Sequence, residues 1–106
     1  MYVTVYVIGD SEMTVGFIAF HYPRPEHFED FIGRAHQVGD SMRAAPGCLS
    51  AEIWATPDGD AVVSTGRFES DETFKAAFTA ARGLGDVVAF DERELKPRQI
   101  FTLLPK

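Results

Sequence analysis

The stretch Cys48-Leu-Ser-Ala-Glu-Ile-Trp-Ala-Thr-Pro-Asp-Gly-Asp-Ala-Val-Val-Ser-Thr-Gly-Arg-Phe-Glu69 decides the fold. Residues 48–56 and 61–69 alternate in character, as half-buried strands do, and Pro57-Asp58-Gly59-Asp60 between them is a hairpin signal. A turn at Asp58-Gly59 sets Trp54 opposite Val63, Ile53 opposite Ser64, Glu52 opposite Thr65 and Ala51 opposite Gly66. One face of this hairpin then carries Ala51, Ile53, Ala55, Val62, Ser64 and Gly66, most of them small. The other carries Glu52, Trp54 and Arg67, with Glu52 and Arg67 as diagonal neighbours within reach of an ion pair.

Outward from the hairpin, each flank reads as a helix and then a strand. On the N-terminal side, residues 25–44 place Phe28, Phe31, Ile32, Ala35, Val38 and Met42 on one stripe at helical spacing. Pro25 suits the first turn, Glu26, Glu29 and Asp30 favour the positive end of the helix dipole, and Pro46-Gly47 stops it. Before it, residues 13–22 form a strand apolar on both faces, which needs cover on both sides. Residues 2–8 read as an extra strand outside a core of about 14–104. On the C-terminal side, Ser70 caps a helix with Asp71 and Glu72 in its first turn and Phe74, Ala77, Phe78 and Ala81 as its buried stripe. Gly83 and Gly85 end it, residues 86–96 are irregular or briefly helical, and residues 98–104 close the chain as a strand.

Apart from the first strand, the order is βαββαβ. This predicts a single α+β domain of ferredoxin-like type, an antiparallel sheet with both helices on one face. The other face would expose Ile18, Phe20, Trp54, Val63 and Phe101, too apolar a set to leave in water. A second copy of the sheet is the simplest cover, so a homodimer is expected, with Glu52, Trp54 and Arg67 at its interface.

A chain of 106 residues suits one domain with its own core. Its formal charge of −6 argues against a nucleic-acid or anionic-membrane partner, either of which calls for a basic surface. The lone cysteine, Cys48, cannot form an internal disulfide, and the first eight residues lack the basic start and apolar run of a leader. No apolar stretch approaches the length of a membrane span, and the expected location is the cytoplasm.

The run Met42-Arg-Ala-Ala-Pro-Gly-Cys-Leu-Ser50, the Pro57–Asp60 turn and Gly66-Arg-Phe-Glu-Ser-Asp-Glu-Thr-Phe74 together resemble the antibiotic biosynthesis monooxygenase family. The resemblance spans roughly residues 14–104 and implies a dimeric α/β barrel. It also implies cofactor-independent monooxygenase-like chemistry, with an aromatic phenol, anthrone or quinol and dioxygen as reactants. The alternative is a non-catalytic dimeric binding or interaction domain of the same fold. Haem-degrading relatives use an Asn, a Trp and a His where this chain has Ala19, Ala77 and Val87, so haem binding is not expected. No metal or other cofactor is expected either.

Strand alternation turns His21 to the side of Phe17 and Ala19, under the helices, while helical geometry puts His36 about 100° from the centre of its stripe. A neutral imidazole serves as a general base near pH 7, which makes His21 and His36 the candidate catalytic residues. The ordinary alternative is that both are boundary histidines. Phe17, Tyr22, Ser64, Phe68 and Phe78 are the candidate substrate-binding residues, with Ser64 and Tyr22 as donors to a developing oxyanion. The small residues of the hairpin face leave a pocket beneath the helices or are filled by Phe28, Phe31, Phe74 and Phe78; the sequence accommodates both arrangements.

Overall fold

A computed structural model describes residues 14–83 and 90–106. The expected strand at residues 2–8 and the glycine at position 85 lie outside the described residues. Strands β1 (Val15–His21), β2 (Cys48–Ala55), β3 (Val62–Phe68) and β4 (Gln99–Leu103) form one antiparallel sheet in the order β2-β3-β1-β4. Helices α1 (Phe28–Arg43) and α2 (Asp71–Gly83) pack on one side of it. This is the ferredoxin-like α+β arrangement, with an open sheet. Among the described residues no helix is long and apolar enough to cross a membrane.

The hairpin register is the one that the alternation dictates: Trp54 faces Val63, Ile53 faces Ser64, Glu52 faces Thr65 and Ala51 faces Gly66. The turn itself is wider than two residues. Gly59 N–H donates to Thr56 O, Asp60 N–H donates to Asp58 Oδ1 at 3.0 Å, and Thr56 Oγ1 accepts from Ala61 N–H at 2.9 Å. Gly59 sits at φ +77°, a left-handed conformation that strains any residue with a Cβ. At the other end a bulge between Cys48 and Ser50 shifts the pairing, a break that simple alternation does not foresee.

Helix α1 begins at Phe28, the first residue of its apolar stripe and three residues later than the expected start at Pro25. Pro25–His27 form a 3-10 turn, with Pro25 supplying the fixed φ of a first turn, and the α-helical pattern starts at Phe28. Helix α2 starts on a reciprocal cap: Ser70 Oγ accepts from Thr73 N–H and Thr73 Oγ1 accepts from Ser70 N–H, both at 3.1 Å. Residues 90–96 contain no helix, which settles that part of the segment as irregular.

The core lies between the helices and the central strands. Val15, Phe17, Met42, Ala51, Phe68 and Ala77 are buried together. Gly66 matters here because its strand neighbour Phe17 lies across it; a Cβ at that position would come within 2.3 Å of the Phe17 ring. Free to lie over the sheet, Phe17 stacks on Phe74 with ring centroids 5.2 Å apart. On the open face, Trp54 is 57% exposed and Phe101 48%, while Ile18, Phe20 and Val63 are half-buried. Glu52 and Arg67 are both exposed on that face, but no ion pair joins them. The cross-strand diagonal alone does not bring the two groups within 4 Å.

Candidate functional site

The small residues of the hairpin do leave a space. A cavity of about 270 Å³ lies between the sheet and the helices, and its walls are mostly apolar. Its floor includes Phe17, Ala19, Ser64 and Ile53, and its roof includes Phe31 and Phe78. It reaches the edge strand β4, where Ile100 and Thr102 line it while remaining exposed. Among the described residues the helices pack towards the β2–β3 side of the sheet and leave the β4 side as the mouth.

His21 is the last residue of β1 and lines this cavity, as strand alternation requires. Its ring lies against that of Phe31, with centroids 6.4 Å apart. Nδ1 is turned towards Glu94, whose Oε1 is 3.7 Å away, a little beyond hydrogen-bond length. Among the described residues neither Nδ1 nor Oε1 has a hydrogen-bond partner, and the Glu94 side chain is wholly buried. The other carboxylate oxygen of Glu94 accepts a hydrogen bond from Arg98, which itself lines the cavity. Burial lowers the His21 pKa below its ordinary value of 6.5, and the Arg98 charge lowers it further. The Glu94 carboxylate, 3.7 Å from Nδ1, opposes both by its negative charge. Desolvation prevails because the ring sits under the helices with apolar neighbours, so the imidazole is neutral at pH 7.

The segment that carries Glu94 is strapped to the end of β1. Pro23 and Glu94 form an isolated antiparallel bridge, Leu95 N–H donates to Tyr22 O at 2.7 Å, and Arg24 N–H donates to Arg93 O at 2.8 Å. Sequence reasoning missed Glu94 and Arg98. The run Asp91-Glu-Arg-Glu-Leu-Lys-Pro-Arg98 reads as solvated charge, and its only distinguishing signal is the Glu94/Arg98 spacing of four residues.

Of the other expected site residues, Phe17, Ser64 and Phe78 line the cavity. Three do not. His36 is exposed on α1 and points away from the stripe of Phe31, Ala35, Val38 and Met42 that faces the cavity. Tyr22 follows His21 and so faces the opposite way; its hydroxyl donates to Gln99 Oε1 at 2.7 Å and its ring is covered by Lys96. Phe68 is fully buried in the core beside Phe74, with ring centroids 5.5 Å apart. Glu52, Trp54 and Arg67 lie together on the open sheet face.

The family model for antibiotic biosynthesis monooxygenases matches residues 14–90. No curated protein matches the chain significantly. Among solved structures, Rv0793 from Mycobacterium tuberculosis is similar over 88% of this chain and 95% of its own, with TM-score 0.78 and 22% identity. PA3566 from Pseudomonas aeruginosa is similar over 91% and 97%, with TM-score 0.75 and 18% identity. SnoaB, a cofactor-independent oxygenase from Streptomyces nogalater seen as a point mutant, is similar over 88% and 93%, with TM-score 0.70 and 14% identity. At these identities the structural likenesses establish the fold alone.

Proposed function

Because the chain belongs to the antibiotic biosynthesis monooxygenase family, we propose that it is a cofactor-independent oxygenase of a small aromatic phenol, anthrone or quinol, with His21 as the base. The observation that carries this reading is the His21 imidazole at the wall of a mostly apolar cavity, where burial lowers its pKa and favours the neutral form. With Nδ1 turned to Glu94, Nε2 takes a proton from the substrate. The resulting carbanion or phenolate is electron-rich enough to give one electron to dioxygen, and the radical pair recombines as a peroxide. For an anthrone methylene, loss of water from that peroxide leaves a carbonyl: one oxygen atom enters the product and the other leaves as water with two substrate hydrogens. The Ser64 hydroxyl donates to the developing oxyanion, and Phe17 and Phe78 keep bulk water from the anion. Glu94, 3.7 Å from Nδ1, offsets the charge that the imidazole gains when protonated.

An oxygen electrode with an activated phenolic substrate and no added flavin, metal or nicotinamide is expected to record uptake that survives a chelator. Its pH profile gives a second expectation. A folded-state pKa lowered by burial keeps His21 unprotonated down to a lower pH, so the acid limb of kcat/KM lies below pH 6.5. The same shift makes the fold lose some stability as pH falls from 6.5 to the folded-state value and none further below it, since over that window the unfolded chain binds the extra proton. Uptake only with flavin, or an acid limb above 6.5, would refute the mechanism. Tight binding of the phenol with no oxygen uptake would leave the alternative, a non-catalytic binding domain.

The proposal extends to a homodimer closed over the open sheet face, with Trp54 as an anchor and Glu52 and Arg67 beside it. Exposed aromatic surface centred on Trp54 and Phe101 supports this. The interface is expected to bury more than about 1,200 Å² in total, the range of stable complexes. Sedimentation at micromolar concentration should show a dimer, and Trp54→Lys should shift it to monomer. A wild-type monomer at that concentration would count against the interface.

A further inference from the structure

The cavity differs in charge from the molecule that contains it. The chain carries a formal −6, yet the charged residues lining the cavity are Arg34 and Arg98, and among the described residues no aspartate or glutamate lines it. The two arginines are not equivalent. Arg98 is held by the buried Glu94 carboxylate, so its charge is matched within the protein. Arg34 is 41% exposed, on α1 one turn beyond Phe31, whose ring adjoins His21. Its Nε lies 3.3 Å from Asp30 Oδ2, a long contact between two solvent-exposed groups four residues apart. Such a pair is weak and exchanges readily with another anion. Because Asp30 engages Nε, the two terminal nitrogens remain on the side from which a guanidinium grips a carboxylate bidentately.

We propose that the cavity selects a planar aromatic anion, whose rings occupy the apolar space beside His21 and whose carboxylate is taken by Arg34. This rests on the oxygenase reading for the use of the cavity, and adds the acidic group as the feature that discriminates among aromatic ligands. A carboxylate at Arg34 whose rings fill the apolar space gains more than Asp30 does, because the bound rings displace water from that side of the guanidinium. A neutral isostere of the same shape fills the same rings but leaves Arg34 to water and Asp30.

Two probes test this by calorimetric titration: 6-hydroxy-2-naphthoate and 6-hydroxy-2-naphthamide, matched in shape and differing in charge. The carboxylate is expected to bind wild-type protein about tenfold or more tightly than the amide, as a charge-assisted hydrogen bond implies. Arg34→Met should abolish that preference by weakening the carboxylate while leaving the amide and the melting temperature unchanged. Raised salt should weaken the carboxylate alone. Equal affinities for the two probes in wild type, or a preference that survives Arg34→Met, would overturn the anion assignment and leave the oxygenase reading intact. Binding of neither probe would overturn both, since the cavity itself would then not take a bicyclic phenol.

Discussion

His21→Ala is expected to lower the rate of oxygenation at least about a hundredfold, the usual consequence of losing a general base. The proton leaves a carbon or oxygen acid whose anion is the species that reduces dioxygen, so its removal precedes everything else. Without the imidazole, water at the cavity mouth is the remaining acceptor, and the apolar walls restrict its access. Stability should change by only about 1 kcal/mol. His21 Nδ1 makes no hydrogen bond that the substitution would break, and Glu94 keeps Arg98. His36→Ala is the control: an exposed residue outside the cavity, expected to leave the rate within about twofold because it makes no contact there. Steady-state oxygen uptake at saturating phenol, with thermal melts of each variant, checks both. Equal rates in the wild type and both variants would remove histidine from the mechanism and point to self-activation of the substrate in a passive pocket.

The order of elements and the pairing of the hairpin were legible because both follow from local, periodic signals. A strand's side-chain period of two fixes which residues share a face, and a polar break fixes where the chain reverses. Thr56 and Ala61 still pair in the wider turn, so its geometry differs from the expected one while the register does not. The 3-10 start of α1 was less legible. Pro25 announces a helical turn but not its pitch, and no side chain caps α1 at His27. The bulge at Leu49 leaves no mark in composition, since Leu49 and Ser50 are both compatible with regular pairing.

The candidate site was legible by halves for the same reason. Positions on β1 and β3 inherit their facing from alternation, which placed His21, Phe17 and Ser64 on the cavity wall. Glu94 and Arg98 stand in an irregular segment, where no period relates neighbours in sequence to neighbours in space. Their meeting with His21 depends on the backbone bonds that strap residues 93–95 to Tyr22 and Arg24. At Tyr22 parity outweighs chemistry: one residue past His21, it faces the other way and its hydroxyl donates a hydrogen bond to Gln99 Oε1. Phe68 has the right parity and still does not reach the cavity. Phe17, lying over Gly66, stands between Ser64 and Phe68 and partitions Phe68 from the cavity wall.

That partition gives Phe68→Ala an expected effect on the fold and not on the ligand. Phe68 is 0% exposed, beneath the start of α2, paired across the sheet with Val15 and Cys48 and in ring contact with Phe74. Truncating such a phenylalanine removes its burial and leaves a void that close-packed neighbours fill only in part, a cost of about 3–5 kcal/mol. For a domain of this size about 1 kcal/mol moves the melting temperature by roughly 4–8 °C, so a fall of more than about 12 °C is expected. Small domains hold only about 5–15 kcal/mol in total, and the variant should therefore be marginal but still folded in the cold. In that folded fraction the affinity for a phenolic probe should stay within about threefold of wild type, because Phe17, not Phe68, faces the ligand. Urea unfolding measures the first quantity and calorimetric titration at low temperature the second. A variant with near-native stability and a tenfold or greater loss of affinity would place Phe68 against the ligand after all, and would mean that Phe17 swings off Gly66 to open the cavity towards α2.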